Sequence, residues 1–301
     1  MALVISENFR ALFYAPFYAA HATGAYEAAG VQVTLRTSES PAATVRALAE
    51  GSADLMWGGP LRVIYGHAVD PASDLVCFCD VVSRDPFFIL GREDRPDFTL
   101  PQLTGLRFAS VSEVPTPWIC LQDDLRRNGV DPAGLNRIDT QSMAENAAAL
   151  ARGALDAIQI FQPYAEELIR SGVGKVWYAQ ASRGPTAYTM LVTHRTRLVA
   201  QREEFEKVTI AMARTLRWFA TTDPAEIARA LKDFFPDVPT EVFAAAIGRY
   251  RALDLWSTDP RPIRAGFERL HAAMRSSGTL ARDVAYADCV DESLAIAAIG
   301  T

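Results

Sequence analysis

The chain has 301 residues, a length that two α/β lobes fill more naturally than one domain. Half of the residues are hydrophobic and 22% are charged, the balance of a globular protein with a large core. A net charge of −6, with arginines scattered among acids, lacks the basic face that a nucleic acid or an anionic membrane requires.

Leu3 to Ser6 reads as the first core strand. Met1 runs straight into it, without the basic n-region, apolar h-region and small-residue cleavage site of a leader. No run approaches the ~18 apolar residues that span a bilayer. The expectation is a cytoplasmic chain, or a periplasmic one if a leader has been removed. Pro16 opens a helix that runs on to Gly30, and Val31 to Leu35 alternates as a strand should. Ser40-Pro41 starts a second helix, with Gly51 beyond its end. Asp54 to Trp57 forms a short strand leading into Gly58-Gly59-Pro60 and a further helix. Cys77 and Cys79 sit two apart on a strand and are expected on one face.

The strand–helix rhythm then starts over. Leu106–Ser110, Arg137–Asp139 and Leu155–Ile160 read as strands; Thr116–Asn128, Ala144–Arg152 and a segment opened by Pro163 read as helices. Strands alternating with helices give a parallel sheet covered on both faces. Two extended apolar segments, Asp85–Gly91 and Tyr188–Thr193, bracket this stretch. Beyond them come helices over Arg202–Thr221, Pro224–Phe235, Pro239–Ala252 and Pro262–Ser276, expected to pack onto the first lobe. The predicted organisation is lobe I over residues 1–86 and 189–301, and lobe II over 87–188, in a monomer. A ligand cleft belongs between the lobes, at the carboxyl ends of the strands.

Four stretches, Ala15–Val31, Val45–Asp54, Leu103–Arg107 and Ala149–Ala157, in this order resemble the solute-binding proteins for nitrate, alkanesulfonates, taurine and thiamine pyrimidine precursors. Ala15-Pro16-Phe17-Tyr18-Ala19 through Gly30-Val31 resembles the opening helix of that family. Val45–Asp54 resembles its second helix and turn, and Leu103-Thr104-Gly105-Leu106-Arg107 its passage into the second lobe. Ala149–Ala157, followed by Gln162-Pro163, resembles its fourth signature. Weaker counterparts lie at Gly266–Leu270 and Val290-Asp291. The resemblance covers the chain and implies a hinged, two-lobed α/β fold of the type II periplasmic-binding-protein kind. It implies a small-molecule ligand and, as partner, the permease of an ABC-type transporter.

In such a fold the turns after the strands face the cleft. From lobe I these are Phe13 and Tyr14, then Trp57-Gly58-Gly59, where an aromatic can stack on a planar ligand and the glycines admit a close backbone approach. From lobe II, Ser112, Thr116 and Trp118 occupy a turn that opens a helix, whose free amides can receive an anion. Gln141, Gln159, Phe161 and Gln162 follow later strands, and Tyr188 sits at the return crossing. Many relatives carry a carboxylate before the proline where this chain has Gln162, which speaks against a strongly cationic ligand at that position. Arg62 and Arg84 read as surface charges unless a carboxylate or sulfonate must be neutralised.

Catalytic signatures are missing. There is no nucleophile elbow, no P-loop and no Gly-x-Gly-x-x-Gly after the first strand. The resemblance also includes pyrimidine synthases and sulfinate desulfinases. The first would need a lysine for vitamin B6 phosphate, and no lysine precedes Lys175. The second would need a cysteine where Phe13-Tyr14 stand. Cys77, Cys79, Cys120 and Cys289 read as packed thiols, and the histidines lack ligand spacing, so no cofactor or metal is expected. The expectation is a binding protein for a planar or anionic organic solute. The alternative is an enzyme of thiamine-precursor or aromatic-acid metabolism, with Cys120 or His21 as its first residues to test.

Overall fold

The computed structural model describes residues 2–299; Met1, on which the leader expectation turned, lies outside them. The first sheet is built from β1 (Leu3–Glu7), β2 (Val33–Thr37), β3 (Leu55–Gly58), β4 (Leu75–Val82) and β10 (Thr189–His194), in the order β2-β1-β3-β10-β4. β1 runs parallel to both β2 and β3, as strands joined through helices must. β10 enters antiparallel between β3 and β4, because it arrives from the far end of the molecule.

The second sheet comprises β5 (Phe88–Gly91), β6 (Phe108–Ala109), β7 (Arg137–Ile138), β8 (Ala157–Ile160) and β9 (Lys175–Ala179), in the order β7-β6-β8-β5-β9. β5 lies antiparallel to β8 and β9, mirroring the role of β10 in the first sheet. Two crossings join the lobes, over residues 83–87 and 180–188. They pair with each other: Thr186 N–H donates to Ser83 C=O, Tyr188 N–H to Val82 C=O and Gln180 N–H to Phe87 C=O.

The structure revises several local expectations. The first long helix is two pieces, Ala15–Ala22 and Ala25–Ala28, broken where Gly24 adopts φ 69°. Cys77 and Cys79 do not share a face. A bulge makes Leu191 pair with Cys79 while its neighbour Val192 pairs with Cys77, so the alternation shifts within β4. Cys77 packs with Met190 and Cys289, whereas Cys79 joins Phe78 in the larger core.

The C-terminal helices grip both lobes rather than the first alone. Helix Arg264–Ser276 packs against Leu61–Val69 of the first lobe and Thr116–Arg127 of the second. Phe267 and Leu270 share one apolar cluster with Ile64, Ile119 and Cys120, and Ser276 Oγ donates to Asp123 Oδ1 at 2.9 Å. Helix Thr240–Ala252 packs on Tyr164–Arg170, where Arg249 pairs with Glu166 at 2.8 Å. Tyr250, fully buried, donates to Pro86 C=O and accepts from Gln162 N–H, both at 3.0 Å.

Candidate functional site

The lobes converge where the β1, β3 and β6 ends meet the crossings. Asn8, Phe9, Phe13 and Tyr14 come from the turn after β1, and Gly59, Leu61 and Arg62 from the turn after β3. Val114, Pro115 and Thr116 come from the turn after β6, and Tyr188 from the return crossing. The packing is close: a methyl added to Gly59 would stand 3.5 Å from Tyr188 C=O and 3.8 Å from the Thr116 hydroxyl. The recess they enclose is ≈ 30 Å³. That admits water, which needs roughly 10–15 Å³, and is far below the roughly 300–1,000 Å³ of small-molecule sites.

The polar side chains at this recess are Asn8, Tyr14, Arg62, Thr116 and Tyr188. Arg62 is half-buried and forms no ion pair among the described residues. Burial pulls its pKa down from the ordinary arginine value, and the nearby Tyr14 phenol offsets this in part. Such a cation gains when an anion replaces the water it has lost. Burial raises the Tyr14 phenol to about 12, against the opposing influence of Asn8, and pushes the Tyr188 phenol well up. Both phenols therefore stay protonated near neutral pH. Across from them Thr116 begins the helix Thr116–Arg127, with Pro117 in its first turn, so free amides and the positive end of the helix dipole lie at the recess.

Of the residues expected from sequence, Phe13, Tyr14, Gly59, Thr116 and Tyr188 meet at this recess. Phe161 lines the groove next to it and meets Phe13 edge-on at 5.3 Å. The others lie elsewhere. Trp57 is fully buried, stacked on Phe17 at 4.7 Å, because β3 directs it into the first-lobe core. Gly58 is paired with Met190 inside the first sheet. Ser112 is spent on a 2.8 Å bond to Gln141 C=O, which places that pair outside the recess lining. Trp118 lies on another face of its helix, with the Arg137 guanidinium 4.2 Å above its ring. Gln159 is buried and donates to Gln180 Oε1 and Pro117 C=O. Gln162 Oε1 caps the next helix by accepting from Glu166 N–H. These two amides build the frame of the second lobe.

Arg62, expected at the surface unless a carboxylate or sulfonate must be neutralised, lines this recess. Its signal lay in position: it falls just after Gly58-Gly59-Pro60, in the first turn of a helix leaving a parallel strand. Arg84, the other arginine considered, instead joins Asp254 at 3.6 Å and Ala181 C=O at the crossing.

Below the recess lies a buried ionic network. Arg183 pairs with Asp85 at 2.6 Å and with Asp124 at 2.5 Å, and all three side chains are nearly inaccessible. Gln180 Nε2 donates to Asp85 at 2.9 Å. The network ties both crossings to the helix that carries Thr116.

A model of the NMT1-like family matches residues 9–232. A protein of Bacillus subtilis strain 168, YtlA, named as a binding protein, is 26% identical over 97% of this chain and 88% of its own length. Among solved structures, the alkanesulfonate-binding protein SsuA from Xanthomonas axonopodis pv. citri, bound to MOPS, superposes with a TM-score of 0.73. It is 19% identical, with 97% of this chain and 98% of that one covered. The desulfurization enzyme DSZB also superposes with a TM-score of 0.73, at 14% identity and 99% coverage of both chains. These likenesses establish the type II periplasmic-binding-protein fold.

Proposed function

The chain belongs to the NMT1-like family, and on that footing we propose that it captures a small organic anion between its lobes as the solute-binding component of an ABC-type uptake system. The observation that carries this reading is Arg62, half-buried and unpaired among the described residues, in a recess that Asn8, Tyr14 and Thr116 also line. Arg62, Tyr14 and Asn8 belong to one lobe and Thr116 to the other, so an anion bound among them favours the closed arrangement. Closure then presents a distinct surface to a permease.

Binding without turnover is the reading the thiols favour. Burial pushes Cys120 well above the ordinary thiol value and Cys289 up to about 12, so neither is poised as a thiolate. DSZB is described as an enzyme, so turnover is the second reading. It predicts that Cys120→Ser or His21→Ala abolishes conversion of an anion that the protein binds. The test of the first reading is a thermal-shift screen of small carboxylates and sulfonates, followed by calorimetry on Arg62→Met. A bound anion raises the melting temperature by mass action. Arg62→Met is expected to weaken it about 10- to 100-fold, the worth of a hydrogen bond to a charged group. A panel with no stabilising anion, or an unchanged affinity in Arg62→Met, would refute the proposal.

A further inference from the structure

The anion recess opens beside a much larger space. A groove of ≈ 750 Å³ lies between the turn after β1, the second lobe and residues 234–238, within the roughly 300–1,000 Å³ of small-molecule sites. Its walls are mainly apolar and aromatic, with Phe161 and Tyr164 on one side and Phe234, Phe235 and Val238 on the other. Two side chains line both spaces: Phe9 from the first lobe and Val114 from the second. The recess and the groove thus adjoin at one residue from each lobe.

The charges divide in the same way. Within the groove Arg10 is committed to Glu7 at 2.8 Å and to Phe234 C=O at 3.1 Å. Glu113, Glu167 and Asp237 also line it, so the groove is acidic where the recess is cationic.

We infer, on the basis of the anion-binding reading above, that the ligand is a singly charged arylalkyl anion. Its head meets Arg62 and its apolar tail passes between Phe9 and Val114 into the groove. The far end of the tail is uncharged or cationic, because a second anionic group there would face the three carboxylates. A compact inorganic anion would use the recess and leave the groove unfilled.

The experiment is calorimetry on the full chain with ω-phenylalkanoates from phenylacetate to 8-phenyloctanoate, and with the matching sulfonates. Affinity should rise about fourfold per added methylene until the groove is filled, as for transfer of a methylene out of water. Octanedioate should bind at least tenfold more weakly than octanoate. Tyr164→Ser and Val238→Asp, both at partly exposed positions, should each lower the phenylhexanoate-to-phenylacetate affinity ratio at least tenfold. A series that binds with a flat length dependence overturns the groove assignment and leaves the anion site standing. So does a ratio unchanged in both variants. Binding of neither head group at any length overturns both.

Discussion

Replacing Arg183 by methionine should cost this protein several kilocalories, and the loss should depend on pH. Arg183 is 3% exposed and faces Asp85 at 0% and Asp124 at 7%, so the substitution strands two buried carboxylates while roughly conserving volume. Removing one partner of a buried ion pair costs about 3–5 kcal/mol, which for a chain of this size corresponds to a fall in Tm of about 5–10 °C. Burial already holds the Asp85 carboxyl above its ordinary value despite the guanidinium beside it; without that charge it rises further. A carboxyl whose folded pKa exceeds its unfolded one loses stability as pH climbs from the unfolded value, about 3.9, through the folded one. The deficit of Arg183→Met relative to wild type should therefore be greatest near neutrality and shrink as pH falls toward 4. Calorimetric melts at pH 7.5 and pH 5 measure both quantities, and adding Asp85→Asn should recover part of the loss at pH 7.5 only. A deficit below about 1 kcal/mol, or one equal at both pH values, would show that the network does not carry the charge balance assigned to it.

Three further predictions probe the frame around the site. Tyr250→Phe leaves the buried Gln162 amide and Pro86 carbonyl without their shared hydroxyl, and should cost about 1–3 kcal/mol in urea unfolding; an unchanged midpoint would count against that bridge. Gly266→Ala places a methyl 3.0 Å from the Ala187 backbone nitrogen, which cannot swing aside, so a loss of about 1–3 kcal/mol is expected and a neutral result would mean that the crossing yields. Burial raises the Asp80 carboxyl to about 7, so its contribution to stability is lost as pH rises from about 4 to about 7. Asp80→Asn should flatten that part of the Tm–pH profile, and an unaltered slope would refute the assignment.

The sequence carried the fold wherever periodicity was long and its ends were marked. Helix Arg202–Thr221 matches its predicted span because an apolar stripe runs its whole length. Ser40 announced its helix by capping it, accepting from Ala43 N–H. β9 went unread because it is an edge strand whose first residues, Lys175 and Val176, face solvent, so no hydrophobic alternation marks it. Helix Ser293–Ile299 went unread because it is only two turns long and is held by packing on helix Arg202–Thr221 rather than by its own pattern.

Site residues followed a different logic. Turn positions could be read, which brought Tyr14, Gly59, Thr116 and Tyr188 into the argument. The direction each side chain takes could not. Trp57 and Arg62 show the difference: the aromatic expected at the ligand faces the core, and the charge expected at the surface faces the cleft.

Helix Arg264–Ser276 has a practical consequence. It touches helices of both lobes without lining the recess, so any change in the angle between the lobes must slide one of its faces. Glu268 lies on its exposed side. On the proposed closure, an environment-sensitive dye on Glu268→Cys is expected to change its emission when a ligand binds, and an unchanged emission on saturation would count against a sliding helix.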